Sequence, residues 1–264
     1  MKHLKDIISH IVAWLSDYAD KSYSQGFVIG ISGGVDSALT STLCALTEKK
    51  TVLLNMPIRQ SQAEYLRSKE HIENLKSRFS NVIDFEINLT KVFEEFEATM
   101  PFNADENWLS LANSRSRLRM TTLYAVAQSQ GCLVAGTGNK VEDFGVGFYT
   151  KYGDGGVDLS PIADLMKTEV FRLAKEVGVV QSILDAKPTD GLWPDGRSDE
   201  DQIGASYPEL EWAMEYKGDD ELSERQKEVL TIYNKFHNAN KHKMLPIPVC
   251  ELPENLKQLL KKNQ

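Results

Sequence analysis

The chain has 264 residues, of which 41% are hydrophobic and 26% are charged, as in an ordinary folded domain rather than a disordered or fibrous chain. Its 30 Lys and Arg against 38 Asp and Glu give a net charge of −8, which argues against a nucleic-acid partner, because such binding requires a basic surface. No apolar stretch is long enough to span a membrane, so no membrane association is expected. Cys44, Cys132 and Cys250 are too few and too far apart for a disulfide framework, which favours a reduced, cytoplasmic setting.

The predicted elements alternate between strands and helices along the chain. At the N-terminus, apolar residues at helical spacing, among them Ile7, Ile11 and Leu15, predict an amphipathic helix rather than a signal peptide. Strands then alternate with helices, which predicts an α/β fold: a parallel sheet with helices on both faces. Short apolar or alternating runs predict the strands at residues 27–31, 51–56, 82–87 and 133–136. Helical periodicity predicts the helices at residues 38–46, 62–79, 109–130, 167–177, 207–216 and 223–237.

Two long segments carry few helical or strand signals. Residues 145–160 are rich in glycine, and residues 187–204 combine prolines, glycines and acids. Loops of this length are usually functional, so we expect both to be mobile without ligand and to become ordered around one. No repeat or linker divides the chain, so we expect a single domain over residues 1–264.

The most informative stretch, the glycine loop, lies between a predicted buried strand and a predicted helix. Glycines allow tight turns and close approach to a ligand, and N–H groups at a helix start bind anions. Neither a Walker A lysine nor a G-x-G-x-x-G fingerprint is present. The loop therefore predicts phosphate binding of another kind, and the alternative is a plain turn capped by Asp36 and Ser37. Its residues are Gly30, Ile31, Ser32, Gly33, Gly34, Val35, Asp36 and Ser37.

In this context S-G-G-x-D-S resembles the pyrophosphatase loop of the adenine nucleotide α-hydrolase group, which holds the pyrophosphate that leaves ATP. Further segments resemble ammonia-dependent NAD synthetases, in that family's order and approximate spacing and over nearly the whole chain. The resemblance implies the Rossmann-like fold of that group. T-K-Y-G-D-G-G at residues 150–156 is more specific than the loop itself. The other matching segments are residues 117–120 with 123–124, residues 136–142, residues 187–189, residues 199–200 and residues 242–243.

The resemblance also implies roles for individual side chains. Asp36 and Glu142 would bind Mg²⁺, and no side chain would act as a nucleophile, because the site would work by positioning and electrostatics. Without the resemblance, the charged acceptor-binding residues read as solvated side chains. The residues that would contact ATP are those of the glycine loop with Thr137, Lys167 and Thr189. The residues that would contact the acceptor, deamido-NAD, are Arg117, Lys151, Asp158, His242 and Lys243.

The implied activity is the last step of NAD biosynthesis. The carboxylate of nicotinic acid adenine dinucleotide (deamido-NAD) would attack the α-phosphorus of ATP, and ammonia would convert the resulting acyl-adenylate to NAD and AMP. Free ammonia, rather than glutamine, is expected as the nitrogen donor, because the chain has no glutaminase domain. The resemblance further implies a homodimer with the acceptor near its interface.

Three alternatives stay open at this point. GMP synthetase-type amidation and tRNA thiolation use the same loop, but T-K-Y-G-D-G-G disfavours both, and the acidic charge disfavours tRNA. A regulator that binds ATP without turnover is disfavoured by the intact Asp36 and Glu142. Formation of AMP and pyrophosphate with candidate acceptors would separate these alternatives.

Overall fold

The protein is described by a computed structural model over residues 2–189, 198–218 and 221–261. In these ranges one sheet has the strand order β3-β2-β1-β4, and every neighbouring pair of strands is parallel. The order places β1 in the interior of the sheet, so the segment that follows β1 lies between two neighbours. The strands are β1 (Gly26–Gly30), β2 (Lys50–Asn55), β3 (Val82–Glu86) and β4 (Leu133–Val134).

Helices connect and flank the strands, and a π-helix (Val141–Val146) follows β4. Within the described ranges, no helix combines the length and the apolar character that crossing a bilayer requires. The α-helices are α1 (Lys2–Lys21), α2 (Val35–Ala45), α3 (Gln62–Arg78), α4 (Thr90–Ala98), α5 (Trp108–Gln130), α6 (Lys167–Glu176), α7 (Gln181–Leu184), α8 (Asp199–Ile203), α9 (Tyr207–Glu215), α10 (Glu224–Met244) and α11 (Glu254–Lys261).

The sheet is covered on both faces. Phe27 and Ile29 of β1 pack with residues of α1, α2, α3 and α6, whereas Val28 packs with residues of α4 and α5. All three side chains are fully buried. Successive strand residues point to opposite faces, so a strand covered on both sides is apolar throughout. The predicted parallel sheet with helices on both faces is therefore confirmed.

A third apolar cluster joins the π-helix to α8, α9 and α10. Val141 and Val146 pack there with Ile203, Leu210 and Val229. A π-helix is rare and often lies at a functional site. Its packing against three helices fixes the direction of the polar side chains that it carries.

The structure departs from the predicted elements in several places, and the short helices α7 and α11 were not predicted. Sequence periodicity missed α4 and the π-helix. The helix predicted at residues 223–237 extends to Met244, so His242 lies in the last turn of α10. Part of the loop expected at residues 187–204 is the short helix α8, and residues 190–197 lie outside the described residues.

Candidate active site

The glycine loop leaves the carboxyl end of β1 and enters α2. Gly33 has a φ of +86°, and a Cβ atom there would lie 2.6 Å from the carbonyl oxygen of Glu64, so only glycine fits. The hydroxyl oxygens of Ser32 and Ser37 lie 3.1 Å apart, and the Ser37 hydroxyl donates to the Gly34 carbonyl at 3.0 Å. The two hydroxyl groups thus stabilise the conformation of the loop. The backbone N–H groups at the start of α2 are then available to bind a phosphate.

Lys167, the first residue of α6, lies between two carboxylates. Its Nζ is 2.6 Å from Oδ2 of Asp36 in α2 and 2.9 Å from Oε1 of Glu142 in the π-helix. Lys167 is only 3% exposed. Folding therefore brings three residues that are distant in sequence into one group with a buried lysine and two half-buried carboxylates, which we call the charged cluster.

Asn139 and Tyr207 hold the two carboxylates in this arrangement. The buried Asn139 donates to Oδ1 of Asp36 at 3.0 Å, and its own Oδ1 accepts from the backbone N–H of Glu142 at 3.1 Å. Tyr207 donates its hydroxyl to Oε1 of Glu142 at 2.5 Å. Its ring centroid lies 4.9 Å from the Nζ of Lys167, where a cation is attracted to the ring face.

Glu211, one turn after Tyr207 on α9, fixes the start of α6. Its carboxylate accepts from the backbone N–H of Thr168 at 2.8 Å and from the Thr168 hydroxyl at 2.7 Å. Helix α9 therefore positions both Glu142 and the helix end that carries Lys167.

Burial and mutual charge shift the pKa values in the charged cluster. Burial alone would lower the pKa of Lys167, but Asp36 and Glu142 outweigh it, and the pKa of Lys167 is raised. Burial raises the pKa of Asp36 despite the attraction of Lys167. At Glu142, Lys167 and Tyr207 outweigh burial, and the pKa is lowered. Burial and nearby carboxylates raise the pKa of Tyr207, so its hydroxyl remains a donor.

The two carboxylates of the charged cluster fit a divalent cation. Asp36 and Glu142 each bring an oxygen to one cation, the ammonium of Lys167, and carboxylate oxygens are the ligands that Mg²⁺ prefers. In the part of the chain that the structure describes, no group of three His, Cys, Asp or Glu could hold a metal alone. An ion here would take its other ligands from phosphate and water, as Mg²⁺ does with ATP.

Hydrogen bonds join the residues expected to bind the acceptor. The Nε of Arg117 donates to the carbonyl oxygen of Lys151 at 3.2 Å, and the Nζ of Lys151 donates to that of His242 at 3.2 Å. Lys243 donates to two backbone carbonyls, at 2.7 Å to that of Tyr149. Residues from α5, from the segment after the π-helix and from the end of α10 therefore meet.

Asp158 is the exception among these residues, because it does not line the cavity that the others share. Its Oδ1 accepts from the Tyr124 hydroxyl at 2.9 Å, and its Oδ2 accepts from the backbone N–H of Val134 at 2.8 Å. Asp158 therefore ties its own segment to β4 and α5, and its contact with the acceptor stays a prediction.

A cavity of 680 Å³ unites the glycine loop, the charged cluster and the residues expected to bind the acceptor. This volume is in the usual range for a small-molecule site. The predicted residues that line it are the whole glycine loop, Arg117, Thr137, Glu142, Lys151, Lys167, Thr189, His242 and Lys243.

Carboxylates that the sequence analysis did not single out also line this cavity, among them Asp143 and Asp154. Asp154 lies within T-K-Y-G-D-G-G, and its Oδ1 accepts from the Ser116 hydroxyl at 2.6 Å. Asp143 lies against Gly138, where a Cβ atom would be 2.1 Å from its Oδ2. Burial, and next the charge of Glu142, raise the pKa of Asp143 to about 8. The family resemblance indicated that these regions belong to the site, but it did not give a role to either side chain.

Two guanidinium groups were missed as well. Arg119 follows Arg117 in a segment that carries the resemblance, so a sequence signal existed for it. The Nε of Arg67 in α3 donates to the carbonyl oxygen of Gly33 at 3.2 Å. No sequence pattern marks Arg67, because only the packing of α3 against the glycine loop brings it there.

Comparisons with known proteins show which family the chain is similar to. The family model described as NAD synthase matches residues 7–246. An NH3-dependent NAD+ synthetase of Alkaliphilus metalliredigens is 36% identical over an alignment of 255 positions, which covers 91% of this chain and 97% of that protein. The solved structure of NMN synthetase from Francisella tularensis has a TM-score of 0.84 at 34% identity and covers 94% of this chain and 99% of that one. The NH3-dependent NAD synthetase structure from Campylobacter jejuni has a TM-score of 0.75 at 23% identity over 94% of this chain and 99% of that one.

The likeness to the Campylobacter structure concerns the fold, and it confirms the predicted Rossmann-like architecture of the adenine nucleotide α-hydrolase group. The family match and the Alkaliphilus relative each cover most of the chain, and they confirm the resemblance seen in the motifs. The relatives are ligases, as the sequence predicts for this enzyme. On these grounds the chain belongs to the NAD synthase family.

Proposed function

We propose that the chain amidates nicotinic acid adenine dinucleotide with ammonia, consuming ATP and giving NAD, AMP and pyrophosphate. The observation that carries this proposal is the meeting of Asp36, Lys167 and Glu142 beside the glycine loop, in a cavity that also contains Arg117 and Lys151. The reaction requires a phosphate site, a cation site and basic side chains for an anionic acceptor. The name of the Alkaliphilus relative supports NAD as the product.

The chemistry needs no protein nucleophile. In the first step, a carboxylate oxygen of the acceptor attacks the α-phosphorus of ATP, the bond to the oxygen that bridges to the β-phosphate breaks, and pyrophosphate leaves with the electron pair. In the second step, ammonia attacks the carbonyl carbon of the acyl-adenylate, the bond from that carbon to the AMP oxygen breaks, and one proton passes to solvent. The site therefore acts by positioning and by charge.

Each part of the site has a place in the first step. The backbone N–H groups of the glycine loop would bind the leaving pyrophosphate at the start of α2. Lys167, whose pKa is raised, keeps its positive charge beside the developing negative charge. Asp36 and Glu142 would hold Mg²⁺, which when bound neutralises charge on the phosphate oxygens.

Free ammonia is the proposed nitrogen donor. A cysteine-dependent glutamine amidase needs a reactive thiolate, but Cys44 is buried, which raises the pKa of its thiol, and none of Cys44, Cys132 and Cys250 lines the cavity. Activity should rise with pH as NH₃ replaces NH₄⁺. Equal activity with glutamine in ammonia-free reagents would contradict this part of the proposal.

A second candidate is the same chemistry on a mononucleotide. The Francisella protein is an NMN synthetase, and its 34% identity is close to the 36% of the Alkaliphilus NAD+ synthetase. NMN is the amide of nicotinic acid mononucleotide, an acid that lacks the adenylate half of the dinucleotide. Both acids present the same reacting carboxylate, so the choice between them depends on binding and not on chemistry.

One experiment tests both candidates. The protein is incubated with ATP, Mg²⁺, ammonium and either acid, and the kcat/KM for amide formation is compared while AMP and pyrophosphate are quantified. We expect a higher kcat/KM for the dinucleotide, and a higher value for the mononucleotide would transfer the assignment to the second candidate. Absence of AMP and pyrophosphate with both acids would overturn the proposed reaction and favour a regulator that only binds ATP.

We also propose a domain organisation and an oligomeric state. The chain would act as a single domain and as a homodimer whose interface lies near the acceptor. Leu109 of α5 supports this arrangement, because it is 54% exposed and also lines the cavity.

A further inference from the structure

Arg119 of α5 lines the active-site cavity, and no carboxylate among the described residues forms an ion pair with it. Its Nε donates to the carbonyl oxygen of Met56 at 3.0 Å. Its two terminal nitrogens make no hydrogen bond or ion pair with any residue of the described ranges. An arginine has five N–H donors in a planar fork, so four of them remain available for a ligand.

This position is unfavourable for a cation without a partner. Burial, and next the charge of Arg115, lower the pKa of Arg119 to about 10, against the opposing charges of Glu64 and Asp154. Arg119 is half-buried, and hydrogen bonds to an opposite charge would replace the hydration that its guanidinium loses. The bond to Met56 also orients the guanidinium before any ligand arrives. An anion in the cavity would supply the missing partner.

Arg119 connects the ATP half of the cavity with the acceptor half. Met56 directly follows β2, and its methyl group lies 3.3 Å from the position that a Cβ atom on Gly30 of the glycine loop would occupy. Arg117, two residues before Arg119 on the same helix, carries the link to Lys151 on the acceptor side. The first step brings a carboxylate to an α-phosphoryl group, and two such anions repel each other unless a cation lies near both.

We propose that Arg119 binds an oxyanion of the reacting pair, which is either the acceptor carboxylate or the α-phosphoryl group of ATP. The identity of this pair rests on the proposed function. A guanidinium fork matches both groups, because each offers two oxygens for parallel hydrogen bonds. Arg119 would thereby reduce repulsion between the reacting anions, whereas Lys167 and the glycine loop act on the leaving pyrophosphate.

Three variants separate this role from a structural one. Arg119→Met removes the fork and keeps most of the side-chain length, whereas Arg119→Lys keeps the charge and a donor for Met56. Arg115→Met is the matched control, because Arg115 lies one turn earlier on α5, contacts the Phe93 ring at 5.9 Å and does not line the cavity. Calorimetry gives the dissociation constants of α,β-methylene-ATP, of the acceptor acid and of its amide, and the melting temperature is measured in parallel.

We expect Arg119→Met to weaken binding of at least one anion by about 10- to 100-fold and Arg119→Lys to have a smaller effect. Arg115→Met should change each constant by no more than about twofold. If Arg119→Met loses affinity for the acid but not for its amide, the ligand of Arg119 is the acceptor carboxylate. If it loses affinity for α,β-methylene-ATP alone, the ligand is the α-phosphoryl group. If affinity for both anions falls, the guanidinium of Arg119 lies where the two anions meet.

Unchanged constants for both anions, with or without a lower melting temperature, would overturn the proposal and leave Arg119 as a tie between α5 and the end of β2. If Arg119→Met does not fold, Arg119→Lys and Arg119→Gln are measured in the same way. The binding constants require no turnover. The proposed reaction can therefore fail while the anion site is retained, and the anion site can fail in a protein that amidates the acid.

Discussion

A lysine at the first position of a helix normally lies in solvent, because the positive end of the helix dipole repels it. Lys167 is instead 3% exposed, and Asp36 and Glu142 supply two opposite charges at 2.6 Å and 2.9 Å. Removing one carboxylate would leave the buried ammonium of Lys167 with only one of its two opposite charges. Both acids therefore stabilise the fold as well as the expected metal ion, and a mutational test has to separate these effects.

For Asp36→Asn we expect a fall in amidation turnover of roughly 100-fold or more, because a ligand charge of the metal site is lost. Turnover is measured over a range of Mg²⁺ concentrations, and the free energy of unfolding is measured without Mg²⁺ to isolate the effect on Lys167. Asp164→Asn is the control, since Asp164 pairs with Lys140 at 2.9 Å but its side chain is 97% exposed. Near-normal turnover of Asp36→Asn would exclude the metal role.

Tyr207→Phe removes the hydrogen bond to Glu142 and keeps the ring beside Lys167. We expect the Mg²⁺ concentration for half-maximal activity to rise by about 10- to 100-fold, because partners that orient a metal ligand usually contribute that much to affinity. The kcat at saturating Mg²⁺ should change much less. Titration with Mn²⁺, followed by electron paramagnetic resonance, measures the affinity directly. Tyr233→Phe is the control, because Tyr233 of α10 packs on the same apolar cluster as Tyr207. An unchanged metal affinity of Tyr207→Phe would contradict the role of Tyr207.

At the scale of elements, the connection between β1 and α2 depends on Gly33. Gly33 and Gly218 both have positive φ angles, +86° and +96°, but only Gly33 faces a close backbone atom, since a Cβ atom on Gly218 would meet nothing within 4 Å. Gly218→Ala should cost about 1–2 kcal/mol of unfolding free energy, because the left-handed conformation is strained for alanine. Gly33→Ala should cost more and should also raise the KM for ATP. Equal losses in chemical denaturation would contradict the steric argument.

Helices α2 and α3 share a buried histidine that makes stability depend on pH. His71 is fully buried, its Nε2 lies 2.9 Å from the Ser41 hydroxyl oxygen, and burial, with a smaller effect of Arg78, lowers its pKa from 6.5 to about 4. As the pH falls from 6.5 to 4, the unfolded chain binds a proton there that the folded protein does not, so stability is lost over this interval. The expected contribution is up to about 3 kcal/mol.

His71→Gln tests this dependence, because glutamine can still bond to Ser41 but does not titrate. The free energy of unfolding of both proteins is measured by denaturant titration between pH 4 and pH 7. Carboxylates contribute to both proteins alike, so the difference in slope reports His71. Parallel curves for wild type and variant would exclude the effect.

The sequence predicted an element most accurately where the burial of its residues is visible in their local composition. β1 is apolar because both its faces are covered, so its sequence alone revealed a buried strand. α4 was missed because it has only nine residues, of which Phe93 is the only buried one, so few positions carried a helical signal. The π-helix has a period that a search at helical spacing does not match.

The same reasoning explains which parts of the site the sequence revealed. The glycine loop is contiguous, so its residue types and their order were enough. Tyr207 acts on a residue 65 positions away, and Arg67 acts on the glycine loop 34 positions away. Contacts of this kind depend on how helices pack, and neither composition nor periodicity records that. The acceptor residues were inferred from family resemblance alone.

For the whole molecule, we expect a homodimer of twice the 29.7 kDa of one chain in sedimentation velocity. Apolar side chains remain exposed on α1 and α5, including Trp14 at 39% and Leu109 at 54%. Leu109→Glu should shift the equilibrium toward monomer and raise the KM for the acceptor more than that for ATP. Leu66→Glu is the matched control, because Leu66 is 55% exposed on α3. A fully active monomer at assay concentration would exclude a functional interface.

The π-helix Val141–Val146 has a consequence for how such a site arises. A π-helical turn closes its hydrogen bond one residue later than an α-helical turn, so it contains one extra residue. Loss of that residue would restore an α-helical turn and rotate the flanking side chains by about 100° relative to each other. Glu142 would then lose its contact with Tyr207, or Asp143 would lose its contact with Gly138. No other residue would have to be replaced for this to happen. This arrangement of carboxylates could thus be gained or lost in evolution through the insertion or deletion of one codon, a step that amino-acid substitution does not provide.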